Sequence, residues 1–159
     1  MDIKSFIKDR NRLHIPATEY FDQLTPNGYS FTAELIEAIR EAQESEDDGL
    51  LEDILIAASR DGLNEKYTKV LCALLKDDWH YCQEDIIMML EEIKAPESVN
   101  CIYEAALNIP DYDDGRSLAK KCIWALGAIN TAEAKEMLIL LTASDDPIVK
   151  EAASMQLNQ

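Results

Sequence analysis

Residues 145–157, Asp-Asp-Pro-Ile-Val-Lys-Glu-Ala-Ala-Ser-Met-Gln-Leu, set apolar side chains four, eight and twelve places after Asp145: Val149, Ala153 and Leu157. A step of four keeps residues on one helical face, so the segment predicts an amphipathic helix buried along that stripe. The same ruler laid on Asp114 meets Leu118, Cys122 and Leu126; on Asp78 it meets Cys82, Ile86 and Leu90; on Glu46 it meets Leu50, Ile54 and Ala58. All of these are apolar, so one helix, the A helix, recurs at origins 32, 36 and 31 residues apart.

A second apolar pattern, the B helix, follows each of the first three A helices: Tyr67 to Leu75, Val99 to Leu107 and Met137 to Leu141. Gly62 suits the end of the first A helix, Pro96 the first turn of the second B helix, and Asn130 with Glu133 a capping box. One hairpin cannot bury its own apolar face, so units of this length stack. The predicted fold class is all-α, antiparallel helix hairpins stacked as a short solenoid. Only five glycines and five prolines in 159 residues leave too few turn formers for a sandwich or barrel. Upstream, Phe31 to Ala42 predicts a further helix with Leu35, Ile36 and Ile39 on one side. The chain reads as a single domain, 1–159, with 1–30 an N-terminal cap and 31–159 the repeats. Within the cap, Pro26-Asn27-Gly28 is a turn signal; a hairpin over Tyr20 to Thr32 and a helix over Ala17 to Leu24 are equally compatible with it.

The acid-Pro-x-Val-basic run Asp146-Pro147-Ile148-Val149-Lys150 with Ala152 and Ala153 behind it, and Asp114 to Gly127 with its closing Ala125-Leu126-Gly127, resemble HEAT repeats. The resemblance spans residues 46 to 157. It is closest in the last two A helices, because the first two lack the Val-basic pair. It implies a HEAT-like solenoid.

The chain carries 31 acids and 15 bases, a formal charge of -16, which repels phosphate and argues against nucleic acid as ligand. Residues 31–114 hold 22 acids against six bases, and the flanking segments balance. The excess gathers where one hairpin passes to the next: Glu46, Asp47 and Asp48; Asp77 and Asp78; Asp111, Asp113 and Asp114; then Asp145 and Asp146. One acid per turn is explained as a helix cap, worth about 1 kcal/mol. A second adds roughly 0.3–1 kcal/mol through the helix dipole, while two carboxylates about 4 Å apart repel by a similar amount in water. The surplus gains the fold little. Equivalent turns of a solenoid stack along one edge, so an acidic ridge is expected, with Trp79, Tyr81 and Tyr112 among its carboxylates. Trp124 lies inside an A-helix core pattern and is expected to pack.

Little in the chain suggests catalysis. His14 and His80 are the only histidines. Asp78, His80 and Cys82 lack a compact fourth metal ligand. Asp111 to Gly115 misplaces the glycine of a calcium loop. No phosphate-cradling loop or serine elbow is present. No enzyme activity, cofactor or metal is therefore expected. Cys72, Cys82, Cys101 and Cys122 have no close zinc-type pairing and read as four reduced core thiols. The longest apolar runs, Val70 to Leu75 and Ile86 to Leu90, are far below the roughly 20 residues of a membrane span. Met1 to Phe6 does not look like a secretory signal, so a cytoplasmic location is expected.

Small size, excess negative charge and the want of catalytic motifs resemble immunity proteins of bacterial polymorphic toxin systems. That resemblance implies a partner: a basic toxin domain, often a nuclease, held by carboxylates standing where phosphates would lie. The expected partner-binding residues are Glu46, Asp47, Asp48, Asp77, Asp78, Trp79, Asp111, Tyr112, Asp113 and Asp114, the acids capturing the partner and the rings anchoring it. The alternative, from resemblance to bilin lyases, is a HEAT-type lyase-like or enzyme-associated scaffold, which would carry an apolar groove.

Overall fold

A computed structural model describes residues 3–9, 14–15, 19–21 and 29–159. Every regular element among them is helical: α1 (Ile3–Lys8), α2 (Thr32–Ser45), α3 (Asp48–Asp61), α4 (Thr68–Leu74), α5 (Gln83–Ile93), α6 (Val99–Leu107), α7 (Ser117–Ile129), α8 (Ala132–Leu141) and α9 (Pro147–Leu157). The turn signal at residues 26–28, with most of the hairpin and helix alternatives around it, lies outside the described residues.

The ruler of four sets the packing. Of its twelve apolar positions, Leu50 and Leu157 are half-buried and the other ten are buried. Consecutive helices pack as α2 with α3, α4 with α5, α6 with α7, and α8 with α9, and α5 packs closely on α7 as well. Short connections make successive helices run in opposite directions. The A helices α5, α7 and α9 therefore lie side by side, as do the B helices α4, α6 and α8. One apolar cluster runs from Phe6 to Ala153. At its start α1 packs on α2 and α3, and Phe6, Tyr20, Phe21 and Phe31 stack with ring centroids 4.9–5.3 Å apart.

Local chemistry ends the helices where expected at Gly62, whose φ of 114° favours glycine. At Pro96, a one-turn 3-10 segment, Pro96–Ser98, leads into α6. Four expectations are corrected. Thr131, not Asn130, caps α8, accepting from the Ala134 amide at 3.1 Å. Asn130 instead closes α7 in the left-handed conformation. Helix α5 begins at Gln83, five residues after the expected origin, because side chains occupy the intervening backbone groups (below). Trp124 is half exposed, at 50%. It lies two residues from both Cys122 and Leu126, hence on the opposite side of α7 from their stripe.

The fourth correction concerns the cysteines. Cys72 on α4 and Cys101 on α6 are joined by a disulfide, their Cα atoms 5.6 Å apart, and neither is fully buried. Only Cys82 and Cys122 are buried free thiols. Burial raises both, Cys82 to about 11, with Glu52, Asp85 and Asp48 adding to the effect, and Cys122 to about 12. No helix among the described residues is long and apolar enough to cross a membrane.

Candidate interaction surface

The four connections that carry the acids each lead from a B-type helix into the next A helix, so all lie at the end of the stack where B helices finish and A helices begin. At the first, Glu46 turns the chain in the left-handed conformation, and the Asp47 carboxylate caps α3 by accepting from the Leu50 amide at 3.1 Å. Glu46 and Asp48 are exposed beside it.

The second connection, residues 75–82, is built on His80. Its ring is buried; Nδ1 accepts from the Cys82 amide at 3.0 Å. That bond assigns the proton to Nε2, which donates to the Leu74 carbonyl at 2.8 Å. The side chain thus takes backbone groups that a helix would otherwise use, which delays α5. Gln83 adds bonds from its amide nitrogen to the Asp77 and His80 carbonyls, at 3.1 and 3.3 Å. Trp79 is half-buried, meets the His80 ring edge-on with centroids 4.8 Å apart, and packs on the core. It braces this turn; the solvent-facing ring here is Tyr81, 82% exposed.

At the third connection the Asp113 carboxylate accepts from the Ser117 and Leu118 amides, at 2.9 and 3.1 Å, and so starts α7. Asp111, Tyr112 and Asp114 point outward, with Tyr112 75% exposed. At the fourth, Asp146 caps α9 through the Ile148 and Val149 amides, at 2.9 and 3.3 Å.

Direct contacts tie neighbouring connections together. Gln43 at the end of α2 donates to the Asp77 carboxylate at 2.8 Å. A hollow of about 210 Å³ between the second and third connections is lined by Asp77, Asp78, Tyr81 and Tyr112. Arg116 of the third donates to Asp146 of the fourth at 2.6 Å. That hydrogen bond holds the Asp146 carboxyl below its ordinary 3.8, against the opposing cost of burial.

The ten singled-out residues therefore lie on one edge but divide in two. Asp47, Asp77 and Asp113 are bound by the fold, and Trp79 is packed. Glu46, Asp48, Asp78, Asp111 and Asp114 are exposed and have no hydrogen-bond or ion-pair partner among the described residues, and Tyr112 stands free beside them. Tyr81 joins the site on the strength of its exposure, for which its place among carboxylates was the sequence signal. No group of three or more His, Cys, Asp or Glu side chains suited to a metal occurs among the described residues.

Consecutive antiparallel helices with a repeating A-helix stripe define a helical-repeat protein. A family model for HEAT repeats matches residues 68–158, more than half of the chain and all of α4 to α9, and the chain belongs to the HEAT-repeat family. Among the curated proteins and the solved structures no significant match is found. HEAT repeats are protein-interaction scaffolds.

Proposed function

We propose that the chain is an immunity protein, a non-catalytic cytoplasmic module that neutralises a basic toxin domain by covering its active site with the acidic edge. A toxin that acts on nucleic acid suits the edge best, since its substrate-binding groups are built for a row of negative charges. The observation that supports the reading is the set of five exposed, unpartnered carboxylates, Glu46, Asp48, Asp78, Asp111 and Asp114, distributed over three successive connections with Tyr81 and Tyr112 between them. Such a surface accelerates capture of a basic partner, and tyrosines are frequent interface anchors. In a reducing cytoplasm Cys72 and Cys101 would stand as thiols; neither belongs to the edge.

The test is recovery of partners from the native host with the wild-type chain and with a five-site variant, Glu46→Gln, Asp48→Asn, Asp78→Asn, Asp111→Asn and Asp114→Asn, that spares the capping acids. The expected result is a basic protein retained by the wild type alone, toxic when expressed by itself and harmless when the wild type is co-expressed. Equal retention on both, or a partner without toxicity, would sink the reading.

One observation favours the lyase-like, enzyme-associated alternative. A groove of about 500 Å³ between α3 and α5 has Leu55, Ile56, Met88 and Met89 in its lining. A coloured or other small molecule carried through purification would support that alternative.

A further inference from the structure

Four large apolar side chains are exposed on the A helices: Ile56 at 36%, Met88 at 52%, Trp124 at 50% and Met155 at 60%. Each stands ten residues after its origin, Glu46, Asp78, Asp114 or Asp145. Single exposed apolar residues are ordinary on a protein surface. These four occupy the same register, two residues past the buried stripe position and so on the outward side of every A helix. Because α5, α7 and α9 lie side by side and α3 shares a groove with α5, they form a column crossing the stack.

The column is acidic at one end. Around the α3–α5 groove stand Glu52, Asp85 and Glu92. The cation there, Arg60, is turned away: it donates to the Ile15 carbonyl at 2.6 Å and lies over the Tyr20 ring, 4.7 Å from its centroid. Towards α7 the charge is neutralised, as in the Lys121–Glu84 pair at 2.7 Å.

Packed helices lie about 8–10 Å apart, and a helix advances 1.5 Å per residue. A helix laid across α3, α5, α7 and α9 would meet a column side chain about every five to seven residues, near a heptad step, over roughly 30 Å in all. We propose that the column is the docking site for an amphipathic helix of the basic partner, with apolar residues at heptad spacing and Lys or Arg flanking the end over α3 and α5. Methionine side chains adapt to such an apolar row, and this is the helix-in-groove mode of recognition. A second copy of the chain would bring the same charge of -16 against itself and the same carboxylates to the groove. The inference rests on the reading above that the partner is basic.

The probe is a labelled synthetic helix of three heptads, leucine on one stripe and lysine elsewhere, compared by fluorescence anisotropy with an isomer of identical composition whose leucines are scattered. The wild-type chain is expected to bind the striped helix at least tenfold tighter. The Met88→Gln, Trp124→Gln double variant, altered only at exposed positions, is expected to bind both isomers alike. Equal affinity for both isomers on the wild type, absence of binding, or a preference that survives in the double variant would overturn the inference. So would a wild-type dimer in light scattering that the double variant converts to monomer, which would assign the column to self-association. The five-site edge variant separates the two proposals: if the acidic-edge reading holds it loses affinity for both isomers, and if it keeps both affinities that reading fails whatever the column does.

Discussion

The half of the stack from α2 to α6 and the half from α7 to α9 share one architecture and differ in charge. Residues 31–114 carry 22 acids and six bases; residues 115–159 carry five of each. In the second half Asp146 shows what the fold itself asks of a connection: one carboxylate caps α9 and is held by Arg116. In the first half Asp47 and Asp113 do the same capping work, yet Glu46, Asp48, Asp78, Asp111 and Asp114 remain without partners. The junctions form alike with one surplus carboxylate, Asp145 at the fourth, and with two, at the first and third, so the surplus is not what builds them.

The largest expected effect is at the turn of the charged half that His80 holds. His80→Ala removes both ring bonds at the second connection and leaves the Cys82 amide buried without an acceptor, so urea unfolding should show a loss of about 2–4 kcal/mol. Next comes a contrast between neighbours: Asp47→Ala, which removes a cap, should cost about 1 kcal/mol, whereas Asp48→Ala should fall within about 0.5 kcal/mol of the wild type. Equal losses would erase the division between bound and surplus acids. Asp146→Ala in the neutral half should lower the melting temperature, while Asp114→Ala in the charged half should not. Because the folded Asp146 carboxyl sits below its ordinary 3.8, its stabilisation is complete above that value and is lost as pH falls through the lower folded one. Acid titration of wild type and Asp146→Ala should converge at the acid end. The smallest effect concerns the thiols: with Cys82 raised to about 11 and Cys122 to about 12, alkylation of the native chain at pH 8, after reduction, should label Cys72 and Cys101 and spare the other two.

The repeat was legible because a step of four is dictated by helix geometry and survives any partner arrangement. What escaped the sequence was decided by side chains acting across turns or between repeats. His80 takes the Leu74 carbonyl and the Cys82 amide, which delays α5 in a way that apolar spacing does not encode. Cys72 lies 26 residues after Glu46 and Cys101 23 after Asp78, so a slip of about one turn between α4 and α6 hides their pairing from the repeat. The two tryptophans exchanged places for different reasons. Trp79 stands among acids but folds back onto His80, whereas Trp124 could have been placed outward from its two-residue offset to Cys122 and Leu126 alone. Of the acidic edge, the clustering at helix junctions was readable; which acid in each cluster caps a helix was not, because Asp113, inside its cluster, and Asp146, at the end of its own, were selected by amide geometry.

Thermal melting of the five-site edge variant against the wild type, at low and at high salt, tests the surplus row most directly. Removing mutual repulsion should raise the melting temperature at low salt by roughly 2–4 °C per kcal/mol relieved, with the gain fading at high salt as the charges are screened. A lower melting temperature than the wild type at every salt concentration would mean that those carboxylates hold the fold together, and would contradict the claim that they are there for a partner.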